Sequence, residues 1–169
     1  MTKTYLDCLT IPPKFLRSVL TVLYHLLILQ RAPRITDYHL TLDKYLEMPY
    51  PEIGNEDMAQ MIRQQIDKVL LSLDYSREQT LLFNFKVFTE NKKQQSRLLS
   101  FLKASVETNS LEEFDFPVTI AHQAPNLGLL AAQVRDRMNK ILQHLQKDNS
   151  VAHIRDDLKF ELSLRRGAM

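Results

Sequence analysis

Residues 15–31, FLRSVLTVLYHLLILQR, are the most apolar run of the chain, and any fold the chain adopts must find a place for them. A membrane-spanning helix needs about 20 largely apolar residues, whereas Arg17 and His25 interrupt this run and Gln30 and Arg31 close it. A secretory signal needs a basic start and a small-residue cleavage site, but this run follows Asp7, Pro12 and Pro13. Lys14, Arg17, Ser18, Thr21 and His25 recur at helical spacing as one narrow polar stripe, and Phe15, Leu16, Val19, Leu20, Val22, Leu23, Leu26, Leu27 and Leu29 cover the rest. A helix apolar on most sides must be wrapped by other elements. The spacing therefore predicts a central helix, with Pro13 at its first position and Pro33 beyond its end.

The rest of the chain supplies elements to wrap it. TYLDCLTI (4–11) is β-rich and stopped by two prolines, so it reads as a first strand. Between Ile35 and Met48 the apolar positions Tyr38, Leu40, Leu42, Leu46 and Met48 alternate with polar ones, the period of a half-buried strand or bent ribbon, ended by Pro49 and Pro51. Asn55 reads as the N-cap of a second helix, with Glu56 and Asp57 at its positive end and Met58, Met61, Ile62, Ile66, Val69, Leu70 and Leu73 on one face. TLLFNFKVF (80–88) alternates as a strand. Residues 90–110 read as either a helix, using Leu98, Leu99, Leu102 and Val106, or an exposed loop; Lys92, Lys93 and Arg97 oppose the dipole of such a helix. FDFPVTIA (114–121) is a further strand in which Pro117 implies an edge or a bulge. A third helix follows from Asn126 to about Lys147, and residues 157–165 alternate strictly. The expected architecture is α+β: a single domain over 1–169, a mixed and largely antiparallel sheet packed on three main helices, with a variable insert at about 90–112.

Composition bounds the function. Lys plus Arg (22) and Asp plus Glu (20) nearly cancel, so there is no global field to draw the chain onto nucleic acid. The single cysteine, Cys8, has no partner for a disulfide or a CxxC motif, as suits a reducing cytoplasm. His25, His39, His122, His144 and His153 show no metal-ligand spacing, and no phosphate-binding glycine pattern, HExxH or GxSxG occurs. Neither a cofactor, a metal nor a catalytic residue is expected.

Three segments carry a resemblance. YLDCLTIPPKFLRSVLTVLYHLLILQR (5–31), PEIGNEDMAQMIRQQIDKVLLSL (51–73) and LLAAQVRDRMNKILQHL (129–145) followed by DLKFELSL (157–164) resemble, in order and pattern, the first strand and helix, the second helix, and the third helix and strand of the HORMA-domain family, in particular its autophagy members. The resemblance implies a non-catalytic scaffold of the autophagy-initiation kinase complex, cytoplasmic and recruited to the preautophagosomal structure. Its partner would be the HORMA domain of autophagy-related protein 13, which it would bind and stabilise as a heterodimer. It implies no nucleic acid and at most peripheral membrane contact, through the basic residues Lys92, Lys93, Arg97 and Lys103.

The autophagy members also carry a partner-recruiting finger, a Trp-Pro-Phe motif after a basic run. At that place this chain reads KKQQSRLLSF (92–101), which makes Arg97, Leu98, Leu99 and Phe101 the candidate finger residues, with Leu98 and Leu99 where the family has Trp and Pro. On the third helix Arg135, Arg137, Lys140 and Lys147, with Asp136 among them, read as an outward face, and Arg135, Arg137 and Lys140 as candidate partner contacts. Only Gly167, Ala168 and Met169 follow the last strand region, so binding through a folded surface is expected rather than through a mobile belt. Three alternatives stay open: another HORMA adaptor, of checkpoint or repair type, a small cytosolic enzyme with an unrecognised site, and a membrane-surface module.

Overall fold

A computed structural model describes residues 2–32, 37–92, 106–123, 126–147 and 157–165. In chain order the elements are β1 (Thr2–Tyr5), β2 (Leu9–Ile11), α1 (Pro13–Arg31), β3 (Tyr38–Asp43), β4 (Met48–Ile53), α2 (Glu56–Leu71), β5 (Gln79–Lys92), β6 (Val106–Ile120), α3 (Leu127–Lys147) and β7 (Leu158–Arg165). The fold is α+β, with three helices and a mixed, mostly antiparallel sheet. That sheet runs β1-β6-β5-β7, with β2 also on β6, and β3 and β4 form a separate two-stranded ribbon. Pairing is antiparallel for β5 with β6 and with β7, and parallel for β1 and β2 with β6.

The helix starts follow from local chemistry. Pro13 opens α1, where a missing N–H removes no helical hydrogen bond. Asn55 caps α2 by accepting from the Met58 N–H at 3.0 Å, and Asn126 caps α3 by accepting from the Leu129 N–H at 3.1 Å. The apolar face of the sheet presents Phe83, Phe85 and Val87 beside Phe114, Phe116 and Val118, all buried. Leu16, Val19, Leu20, Leu23, Tyr24, Leu27 and Ile28 of α1 lie in the same core cluster. Of the expected polar stripe, Ser18 and His25 are buried while Lys14 and Arg17 reach solvent. The helix is therefore wrapped even more completely than its pattern implies.

Four sequence expectations are corrected. Residues 4–11 are not one strand: the chain leaves β6 after Tyr5 and returns at Leu9. That break explains Pro117 inside β6. The Asp115 carbonyl accepts from the Leu6 N–H at 2.9 Å, and two residues on, Pro117 turns its nitrogen the same way, into the opening between β1 and β2. Its missing donor costs no ladder bond there, so Pro117 sits in an inner strand rather than at an edge or a bulge.

Pro49 and Pro51 do not end the ribbon but lie within β4, opposite Leu42 and Leu40. Finally, a helix over 90–110 is excluded at both ends, because β5 and β6 stay paired out to Lys92 and Val106. The finger residues Arg97, Leu98, Leu99 and Phe101 lie outside the described residues, as does His153.

Candidate functional site

The ribbon has two unlike faces. Met48 and Tyr50 of β4 are buried on the face toward α1, where the Tyr50 ring lies 5.7 Å from the His25 ring. His25 Nδ1 accepts from the Ile53 N–H at 3.1 Å, tying β4 to α1. Burial holds the His25 imidazole neutral, with its pKa pushed down to about 4, and only the neutral ring can accept that bond. Asp43 closes the β3–β4 turn by accepting from the Tyr45 and Leu46 N–H groups at 3.0 and 2.8 Å.

The other face points outward. By register it carries Tyr38, Leu40 and Leu42 of β3, with Pro49 across from Leu42, Pro51 across from Leu40 and, at the end where this face meets the core, the buried Ile53 across from Tyr38. Tyr38 is 57% exposed, Leu40 74% and Leu42 61%. Scattered exposed leucines are ordinary, but a row of three large apolar groups on a single strand is a contiguous patch of the kind that marks a binding surface. Among the described residues β3 pairs with β4 alone, so its far edge also offers unpaired backbone groups. Covering what remains exposed of each leucine would gain about 1–2 kcal/mol.

The predicted third-helix residues separate. Arg135 is exposed on α3. Arg137 is not part of an outward face: it is buried, and its guanidinium donates to the Cys8 carbonyl at 3.1 Å and the Asp7 carbonyl at 3.4 Å while meeting Asp136 at 2.9 Å. Lys140 is exposed but pairs with the Asp7 carboxylate, whose pKa falls through that contact. Arg137 and Lys140 thus hold the segment that leaves β6 between β1 and β2, which accounts for their charge within the fold.

A groove of about 910 Å³ lies where β5 begins, walled by Leu73, Leu81, Leu82, Pro117 and Leu164. Its hydroxyls are engaged, Ser72 with the Val69 carbonyl and Thr80 with Thr119, and among the described residues its ionisable groups are the carboxylates Asp74 and Glu78, with no histidine or lysine beside them. Among the described residues no group of three or more His, Cys, Asp or Glu is placed to hold a metal. No helix among them is long and apolar enough to cross a membrane. No protein-family model and no curated protein matches the sequence.

Sequence reasoning missed the ribbon patch because alternation reports a strand's period and not which face is covered. It also missed Gln65 on α2. The Gln65 side-chain amide accepts from the Tyr24 hydroxyl at 2.6 Å and the Leu162 N–H at 2.7 Å, and donates to the Phe160 carbonyl at 3.0 Å. It pairs with the outer edge of β7 as a neighbouring strand would.

Proposed function

We propose that this chain is a non-catalytic HORMA-type scaffold of autophagy initiation, resembling autophagy-related protein 101, which binds a second folded domain through the outer face of the β3–β4 ribbon. The partner in this reading is the HORMA domain of autophagy-related protein 13, within the autophagy-initiation kinase complex, and pairing stabilises it. The observation that carries the reading is the exposed row Tyr38, Leu40 and Leu42 on a strand that, among the described residues, is paired on one side only: a water-facing apolar row has its physical use in being covered. The element order, with a buried first helix and a third helix leading to a final alternating strand, supports the family assignment. Arg135, exposed on α3, stays a separate candidate contact in this reading. In this reading the protein works in the cytoplasm and is recruited to the preautophagosomal structure.

Size-exclusion chromatography with light scattering, on the chain alone and mixed with the HORMA domain of autophagy-related protein 13 from the same organism, tests the assignment. A one-to-one complex at micromolar concentration is expected. Two independently eluting species would overturn it.

A further inference from the structure

A second concavity lies away from the ribbon's outer face, between the first turn of α1, the β3–β4 turn and the end of α2. Its volume is about 600 Å³, within the range of roughly 300–1,000 Å³ typical of ligand pockets, and Pro13, Tyr45, Leu70, Leu71 and Tyr75 supply its apolar wall. Two of these groups are held in place. Tyr45 meets Phe15 edge-on at 6.4 Å between ring centres, and the Tyr75 hydroxyl donates to the Leu70 carbonyl at 3.1 Å. Leu71, by contrast, protrudes with 87% of its surface in water. Fixed tyrosines around an unfilled concavity are the residue type enriched in interface hot spots, and the unburied Leu71 beside them adds apolar surface to cover.

The charge lining this wall has one sign left over. Arg17 is matched by Asp67 at 2.5 Å. Lys14 is exposed and lies 5.0 Å over the Phe15 ring, and among the described residues no carboxylate pairs with it. The first turn of α1 contains no acidic residue either. One unmatched ammonium is far too little for a nucleic-acid backbone or an anionic membrane, which need clusters of basic residues, but it suits a single carboxylate beside an apolar anchor.

We propose that this groove docks a short acidic segment of a partner protein, its aromatic or leucine anchor packed among Tyr45, Leu71 and Tyr75 and an adjacent carboxylate on Lys14. The site is distinct from the ribbon face and does not depend on the identity of the partner bound there.

Selection of a displayed library of random short peptides against the full chain tests it, followed by titration of the enriched sequences on wild type, Lys14→Glu, Leu71→Asp and Leu40→Asp. Lys14 and Leu71 are both exposed, so these substitutions leave the core intact, which circular dichroism checks. The expected result is enrichment of Asp or Glu next to an aromatic or leucine. Binding should fall about tenfold or more, that is by about 1.4 kcal/mol, in Lys14→Glu and in Leu71→Asp. It should weaken with added salt and stay unchanged in Leu40→Asp. Enrichment of basic or charge-independent sequences, binding insensitive to both groove variants, or no enrichment would each overturn the proposal, whatever becomes of the ribbon-face partner.

Discussion

Replacing Gln65 with leucine keeps the side-chain volume close while deleting the amide that joins α1, α2 and β7. The Leu162 N–H and the Phe160 carbonyl lose their Gln65 partner, and the Tyr24 hydroxyl keeps only a weak 4.0 Å contact with the Met61 sulfur. Tyr24 is fully buried, and burial pushes its pKa up, so its hydroxyl can neither reach water nor ionise. A buried polar group left unsatisfied costs about 1–3 kcal/mol. The two backbone groups lie on the outer edge of β7, where water can replace part of what Gln65 supplied, so their share falls toward the low end. The sum expected is about 2–4 kcal/mol, a fall in Tm on the order of 5–15 °C for a chain of this size.

Urea unfolding followed by far-ultraviolet circular dichroism measures this directly, and the absence of tryptophan makes fluorescence the poorer probe. Tyr24→Phe supplies the control: it should cost about 1–2 kcal/mol in wild type and almost nothing in the Gln65→Leu background, because the partner has already gone. A loss within about 0.5 kcal/mol for Gln65→Leu, the range of ordinary surface changes, or full additivity with Tyr24→Phe, would refute the reasoning.

Two further outcomes follow from buried charge and a buried imidazole. Arg31 meets Glu112 through two hydrogen bonds, at 2.7 and 2.5 Å, with both side chains sequestered. Arg31→Met strands the carboxylate and should cost about 3–5 kcal/mol, whereas Arg31→Met with Glu112→Gln should recover much of that in the same denaturation assay. His25 has its pKa pushed from 6.5 to about 4 by burial, so the folded state binds its proton later than the unfolded state does. Its contribution is complete above pH 6.5 and is lost as pH falls from 6.5 through 4, up to about 3 kcal/mol at 1.36 kcal/mol per unit. Stability measured across that window should fall more steeply in wild type than in His25→Gln; parallel curves would contradict the burial of a neutral ring.

The helices were legible because their signals are local. The 3.6-residue period of α2, the Asn55 and Asn126 caps and the proline at the start of α1 each act within a few residues, and the structure places all of them as the spacing implies. The strict alternation of Leu158, Phe160, Leu162 and Leu164 marked β7 for the same reason. What escaped the sequence depends on distant partners. Pro117 is harmless only because β1 and β2 are interrupted opposite it. Arg137 resembles any solvated helix charge until two carbonyls from the start of the chain arrive beside it. The row Tyr38, Leu40 and Leu42 alternates like a core strand, yet β4 turns Met48 and Tyr50 inward and leaves that row in water. Gln65 lies beside the apolar face of α2, and nothing in its neighbourhood along the chain announces that β7 will need an amide there.

The measurement that bears most directly on the scaffold reading is a calorimetric titration of the HORMA domain of autophagy-related protein 13 into wild type and into Leu40→Asp. Leu40 is 74% exposed in the free chain, so the substitution should leave stability nearly unchanged while placing a charge in the middle of the proposed contact. One-to-one binding by wild type is expected, weakened by about 2–4 kcal/mol, roughly 30- to 1,000-fold in Kd, in Leu40→Asp. No binding by wild type, or equal affinity for both proteins, would contradict the account.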